Sequence, residues 1–183
     1  MSSTRQFRDT MGLFATGVAV VAVHDGTEVH AMTANAVSSL SLEPMLLLFC
    51  PARKARLAPF LAVGVPFSIN VLRAEQQAIS TYFSGTWKQR APPPYRFVAM
   101  GAAPRLEGSL ASLGCSVRSI SDGGDHLLVV GEVLQLKQGI APHEPLLFYR
   151  GRYGQLDPGS AAVAPDLGAV TDEPTHIYYD PHS

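Results

Sequence analysis

Cysteine and charge are both scarce in this chain. The 183 residues hold two cysteines, Cys50 and Cys115, far apart and in no Cys-x-x-Cys pair, which excludes a disulfide framework and points to a reduced setting. Charged side chains make up 16% of the sequence, and 14 basic against 15 acidic residues leave a formal net charge of −1. No global field of that size draws a protein to nucleic acid or to an anionic membrane, so neither is expected as a partner. No apolar run approaches the ~20 residues of a membrane-spanning helix. The N-terminal stretch also lacks the apolar core and small-residue cleavage site of a secretory signal. A cytoplasmic protein is the expectation. The six histidines show no metal-ligand spacing of the His-Glu-x-x-His kind, so no metal site is expected.

Several catalytic signatures are missing as well. Gly12 to Gly17 has the spacing of a phosphate loop, but Val18 and Ala19 stand where Lys and Ser or Thr are required. No Gly-x-Gly-x-x-Gly occurs, so a nicotinamide cofactor would not be held by a Rossmann unit. Neither Gly-x-Ser-x-Gly nor Ser-x-x-Lys is present, and Cys115, inside an apolar run, reads as a packing residue, so covalent catalysis finds no support.

What the chain does have is β pattern. With 46% hydrophobic residues, it has ample material for one core. Ser3 or Thr4 is placed to cap a short helix whose Phe7, Met11 and Phe14 share one face. Val18 to Val23 reads as a buried strand, and Asp25-Gly26 as a hairpin turn leading to a partner strand through Val29. Met45 to Cys50, bounded by Pro44 and Pro51, reads as a central strand. Leu57, Phe60 and Leu61 fall at helical spacing before Gly64, with Pro59 keeping that helix short. Phe67 to Val71 alternates as a strand. Residues 74–84 form a helical stripe of Ala78, Ile79, Tyr82 and Phe83, stopped by Gly85. Pro92-Pro93-Pro94 sits in an extended excursion from Trp87 to Phe97. Further strands are expected over 105–107, 109–119, 126–137 and 146–149. Few helices and at least seven short strands predict a mainly β fold, a closed or half-closed antiparallel barrel with peripheral short helices. After Leu156 the composition turns to an Ala/Pro/Gly-rich tail, 157–183.

The run from His30 to Ser41 is the candidate site. Its residues are small, hydroxylated or amide-bearing, and apolar runs flank it. Small side chains let a planar ligand reach the backbone, and hydroxyls and amides supply a few oriented hydrogen bonds. The same residues also suit an ordinary inter-strand loop. Arg53, Lys54 and Arg56 follow a strand and precede a helix, where cations oppose the helix dipole unless an anion compensates them; a solvated basic edge is the plainer reading. His126 ends the turn Asp122-Gly123-Gly124-Asp125 and opens an apolar strand, a position from which it can donate a hydrogen bond or serve structure alone.

Together these residues resemble the flavin reductase-like family with an FMN-binding split barrel, the short-chain reductase components of two-component monooxygenases. The marks are Phe7-Arg8, Met11-Gly12, Phe14-Ala15-Thr16-Gly17-Val18, and His30-Ala31-Met32-Thr33-Ala34-Asn35-Ala36 with Ser39-Leu40-Ser41-Leu42-Glu43-Pro44. Phe67 to Leu72, Pro104-Arg105-Leu106-Glu107-Gly108, Gly124-Asp125-His126, Val130-Gly131-Glu132-Val133 and Pro145 to Tyr149 complete the set. Met45, Ser84 and the long tail depart from the usual pattern.

The resemblance implies a Greek-key split barrel over residues 1–156 and a homodimer with flavin near the subunit boundary. It implies NAD(P)H-dependent transfer of hydride to FMN or FAD, with reduced flavin passing to a partner monooxygenase. It places Thr33, Ala34, Asn35, Ala36, Val37 and Ser38 along the flavin ring and side chain. Cys50, Pro51, Lys54 and Arg56 then meet the flavin phosphate, Phe83 and Ser84 close over the flavin, and His126 stands near the nicotinamide. Two rival readings share the fold: a flavin-retaining oxidase or tailoring enzyme, and a non-catalytic flavin-binding module.

Overall fold

The computed structural model describes residues 3–139 and 144–156; the expected tail, 157–183, lies outside the described residues. Helix α1 (Thr4–Met11) is opened by a capping box: the Ser3 hydroxyl accepts from the Gln6 amide at 3.1 Å, and the Gln6 side chain accepts from the Ser3 amide at 3.2 Å. The strands that follow are β1 (Thr16–Gly17), β2 (Ala19–His24), β3 (Val29–Ala34), β4 (Val37–Leu42) and β5 (Met45–Phe49). A 3-10 turn (Ala58–Phe60) leads to β6 (Pro66–Val71), and a second 3-10 turn (Ala74–Gln76) runs straight into α2 (Gln77–Phe83). Then come β7 (Phe97–Met100), β8 (Ala103–Leu106), β9 (Ala111–Gly123), β10 (His126–Gln138), β11 (Leu147–Tyr149) and β12 (Arg152–Gly154).

Seven strands form one antiparallel sheet in the order β3-β2-β6-β9-β10-β5-β4. Its two edge strands, β3 and β4, are consecutive in the chain and joined only by Asn35 and Ala36. So short a link brings the two edges of a twisted sheet back toward each other. The described residues contain no β3–β4 pairing, so the sheet is a half-open barrel with a seam, and the closed alternative is set aside. The fold is mainly β with short peripheral helices, as the strand pattern predicts.

Strand β2 explains why the core has two parts. Its residues are buried on both faces, and successive strand side chains point to opposite sides. Ala19, Val21 and Val23 join Phe49, Phe67, Ile69, Cys115 and Val129 inside the barrel. Val20, with the preceding Val18, packs against Leu72, Ile79, Leu106 and Leu146 on the outer side, under α2. Asn70 pins the two layers together and is fully buried. Its amide donates to the Val20 carbonyl at 3.1 Å and to Ser68 Oγ at 2.8 Å. Its Oδ1 accepts from the Leu106 amide at 3.0 Å and the Ser112 hydroxyl at 2.9 Å.

Four expectations change in detail. Residues 30–41 are mostly edge strand, because β2 and β5 supply ladder partners such as Val20 for Thr33 and Leu48 for Ser38. The helix expected around Leu57 to Leu61 shrinks to a single 3-10 turn, since Pro59 brings no amide donor. The helix expected over 74–84 starts as a 3-10 turn and is α-helical only from Gln77. The helix expected to carry Phe7, Met11 and Phe14 on one face ends at Met11, so Phe14 stands beyond it; the three are 65%, 53% and 71% exposed.

Candidate functional site

The seam carries the site. Beside it lies a cavity of about 930 Å³, within the usual ~300–1,000 Å³ of small-molecule sites. Ala34, Asn35, Ala36, Val37, Ser38 and Cys50 line it, together with Phe14, Thr16, Gly17, Leu46 and Leu48. The lining is mainly apolar, small along Ala34 to Ser38 and larger at Phe14, Leu46 and Leu48, with one amide and a few hydroxyls, the composition that admits a flat ring and fixes it by a few hydrogen bonds. The Cys50 amide donates to the Ala36 carbonyl at 3.1 Å, which ties the seam to the start of the basic segment. Burial raises the Cys50 thiol above its ordinary range, so it stands in the lining as a neutral group.

Six of the residues singled out in sequence therefore share one cavity, and Thr33, Pro51, Lys54, Arg56, Phe83, Ser84 and His126 are not in its lining. The Thr33 hydroxyl turns toward α2 and donates to the Ser80 carbonyl at 2.6 Å. Pro51 is buried and its carbonyl accepts from the Leu127 amide at 2.9 Å. Lys54 and Arg56 follow on the turn that leaves β5, outside the cavity lining. Phe83 packs edge-on against Tyr95 and Phe97, with ring centroids 5.0 and 6.0 Å away. Ser84 closes α2, its hydroxyl donating to the Thr81 carbonyl at 2.8 Å and sharing a hydrogen bond with Thr86 Oγ1 at 2.7 Å.

His126 opens β10 and forms a bridge with Ala52. Its Nδ1 lies 2.7 Å from Asp125 Oδ1, and that hydrogen bond holds the Asp125 carboxyl below the ordinary carboxylate range. With Nδ1 so engaged, Nε2 is the ring nitrogen left for a ligand. Arg53, grouped in sequence with the other cations, is engaged differently from them. Its Nε donates to the Gly124 carbonyl at 2.8 Å, its Nη2 pairs with Asp122, and its backbone amide donates to the Asp125 carbonyl at 3.0 Å. Arg53 thus clamps the basic segment to the turn that presents His126. Nothing in the local sequence marks that role, because Asp122 and Gly124 lie some seventy positions further along the chain.

Two further residues, Arg8 of the Phe7-Arg8 mark and Arg150, line a cavity next to the seam cavity. Arg8 comes from the last turn of α1 and Arg150 from the β11–β12 turn, and this second cavity, of about 610 Å³, also takes in Asn35 and Phe148. The two cavities share Met11, Phe14 and Asn35.

A sheet rolled to a seam, with a roomy cavity beside the seam, is a split-barrel arrangement with space for a flat ligand. Comparison with known proteins agrees. The chain belongs to the flavin reductase-like family: the model described as a flavin reductase like domain matches residues 11–157. A relative from Rhodococcus jostii (strain RHA1), the reductase subunit HsaB of a flavin-dependent monooxygenase, is 36% identical over 167 residues, covering 88% of this chain and 82% of its own. An NADH-dependent flavin reductase from a Rhodococcus species is 36% identical over 153 residues, covering 82% of this chain and 85% of its own. Among solved structures, the flavin reductase PheA2 superposes with a TM-score of 0.78 at 36% identity, covering 85% of this chain and 99% of that one. Family membership makes the chain an oxidoreductase of the flavin reductase class, with a flavin and a nicotinamide as its redox partners.

Proposed function

We propose that this protein uses NADH or NADPH to reduce FMN or FAD at the seam and releases the reduced flavin to a partner monooxygenase. The observation that carries the reading is the convergence of Ala34 to Ser38 and Cys50 on one cavity beside the short link between the sheet's two edge strands. Flavin and reduced nicotinamide supply the hydride chemistry when bound. The chain's residues align the two: Ala36 and Ser38, exposed in the lining, leave room for a ring, Lys54 and Arg56 offer charge to the flavin phosphate, and His126 presents Nε2 toward the reductant. Alignment is the main demand, because reacting atoms must come within about 3–3.5 Å, and hydride transfer itself needs no acid or base from the protein.

The active form is a homodimer, formed over the apolar face around the seam. Phe14, Leu42, Leu134 and Leu136 are 71%, 74%, 62% and 63% exposed, an unusual concentration of large apolar side chains for a free surface. A two-fold partner covers such a face on both copies at once. The flavin reductase-like domain spans residues 1–156, with 157–183 as its C-terminal tail, and the working compartment is the cytoplasm. Among the described residues no helix is long and apolar enough to cross a membrane.

The test is anaerobic mixing of the protein with NADH or NADPH and FMN or FAD while the flavin absorbance is followed, beside light scattering for mass. Flavin should bleach with saturable dependence on both substrates, at about twice the 19.6 kDa chain mass. A protein that binds no flavin at high micromolar concentration ends the reading. A flavin held tightly but unresponsive to either nicotinamide points to an oxidase instead.

A further inference from the structure

We propose that the cavity between α1 and the β11–β12 turn is the subsite for the nucleoside-diphosphate arm of a dinucleotide, held by Arg8 and Arg150. The proposal rests on the flavin reductase reading and extends it to a place the seam cavity does not cover. Arg8 and Arg150 both line the cavity, and neither guanidinium group has a hydrogen-bond or ion-pair partner among the described residues. Two unpaired cations sharing one cavity repel each other until an anion lies between them, and guanidinium groups fit diphosphate oxygens in a forked geometry.

The rest of the lining selects a nucleoside diphosphate over a bare anion. Phe148 brings an aromatic ring to the lining, and the Asn35 amide can donate and accept. Asp9 adds a carboxylate to the same lining, 3.9 Å from Arg5. A carboxylate disfavours inorganic phosphate but accepts well from ribose hydroxyls or an exocyclic amine. Asn35, Met11 and Phe14 belong to both cavities, so one elongated ligand can place its ring at the seam and its diphosphate arm here.

The backbone at Arg150 is a second, independent observation. Strands β11 and β12 pair as a hairpin with Tyr149 opposite Arg152, which leaves Arg150 and Gly151 as a two-residue loop. Both have positive φ, 50° and 76°, as a type I′ turn requires. Asn or Gly is the favoured residue at the first of these positions, and arginine is strained there. The Arg150 amide also donates to the Gly12 carbonyl at 2.9 Å, which docks the turn on the end of α1 and brings the two arginines to one cavity. Keeping a strained arginine where asparagine would relax is the trade-off expected of a binding residue.

The experiment uses Arg8→Gln combined with Arg150→Asn, and Arg150→Asn alone, with ADP as the probe. ADP should inhibit the wild-type enzyme, and the double variant should bind it at least tenfold more weakly, while FMN affinity stays within twofold. Arg150→Asn alone should melt at or above the wild-type temperature and still lose ADP affinity. Two further arms name the source of the arm. A larger loss for FAD than for FMN assigns the cavity to the flavin's adenosine half, and a raised KM for NADH with unchanged flavin affinities assigns it to the reductant. Unchanged ADP binding in the double variant overturns the subsite. Failure of FMN itself to bind the wild-type protein overturns the functional reading instead.

Discussion

Replacing Asn70 with alanine tests whether a satisfied polar residue holds the two core layers in register behind the site. The side chain makes four hydrogen bonds, to Val20, Ser68, Leu106 and Ser112, and is fully buried. Ser68 keeps an alternative, since its hydroxyl also donates to the Pro104 carbonyl. The Leu106 amide loses its side-chain acceptor inside a fully buried residue, a loss of about 1–3 kcal/mol. The space left by the amide adds roughly another 1 kcal/mol. Alanine should therefore cost about 3 kcal/mol, a shift of about 1.5 M in the urea midpoint if the slope is about 2 kcal/mol/M. Equilibrium urea unfolding at one fixed protein concentration measures it. Asn70→Asp sharpens the test, because Oδ1 still accepts from Leu106 and Ser112 while a buried carboxylate meets the Val20 carbonyl. Burial raises that carboxyl in the folded state, so the folded form holds its proton to higher pH than the unfolded form. The aspartate variant should be closest to wild type in acid and lose stability as pH rises through the ordinary carboxylate range toward the raised folded value. An alanine variant with the wild-type midpoint would refute the reasoning.

Lys54→Ala with Arg56→Ala should weaken FMN about tenfold or more, at roughly 1.5–3 kcal/mol for each charge-assisted bond lost, and leave riboflavin nearly unchanged; equal weakening of both ligands returns the pair to a solvated edge. His126→Ala should raise KM for the nicotinamide with little change in flavin affinity, and His126→Asn, which keeps a donor, should retain most activity; an inactive asparagine variant with intact binding would point to proton chemistry. The Cys115 thiol is 1% exposed and pushed up to about 12 by burial, whereas Cys50 is only partly covered. At about pH 8 a maleimide should modify Cys50 in the native protein and Cys115 only after denaturant, since the thiolate is the reactive form; rapid native labelling of both would contradict the packing.

Much of this was legible in the chain because the strands announce themselves locally. Val18 to Val23 is apolar at every position, which only a strand covered on both faces needs, and Asp25-Gly26 marks its turn: Asp25 Oδ1 accepts from the Thr27 and Glu28 amides at 2.7 and 2.9 Å. Ser3, one of the two caps expected, does open α1. What was hidden depends on partners far along the chain. Thr33 to Ser39 carry no strand pattern of their own, and their ladders come from β2 and β5. Strand β7, beyond the triple proline, exists because β8 pairs with it, Phe97 against Leu106. Within the site, the small residues of the seam could be picked out by composition, but the engagement of Arg53 with Asp122 and the meeting of Arg8 with Arg150 are products of the fold alone.

The strand order has a kinetic consequence. Three hairpins, β2–β3, β4–β5 and β9–β10, close over short loops, and each can form early from its own sequence. The joins between them, Val21 with Ile69, Ile69 with Leu113, and Leu48 with Val130, link residues far apart in the chain and must wait for large loops to close. The β5–β10 join has the longest loop of the three, and it is the one that sets Cys50 and the basic segment beside His126. The refolding chain should therefore recover most of its strand signal before it can bind flavin, with the binding site the last part of the molecule to appear.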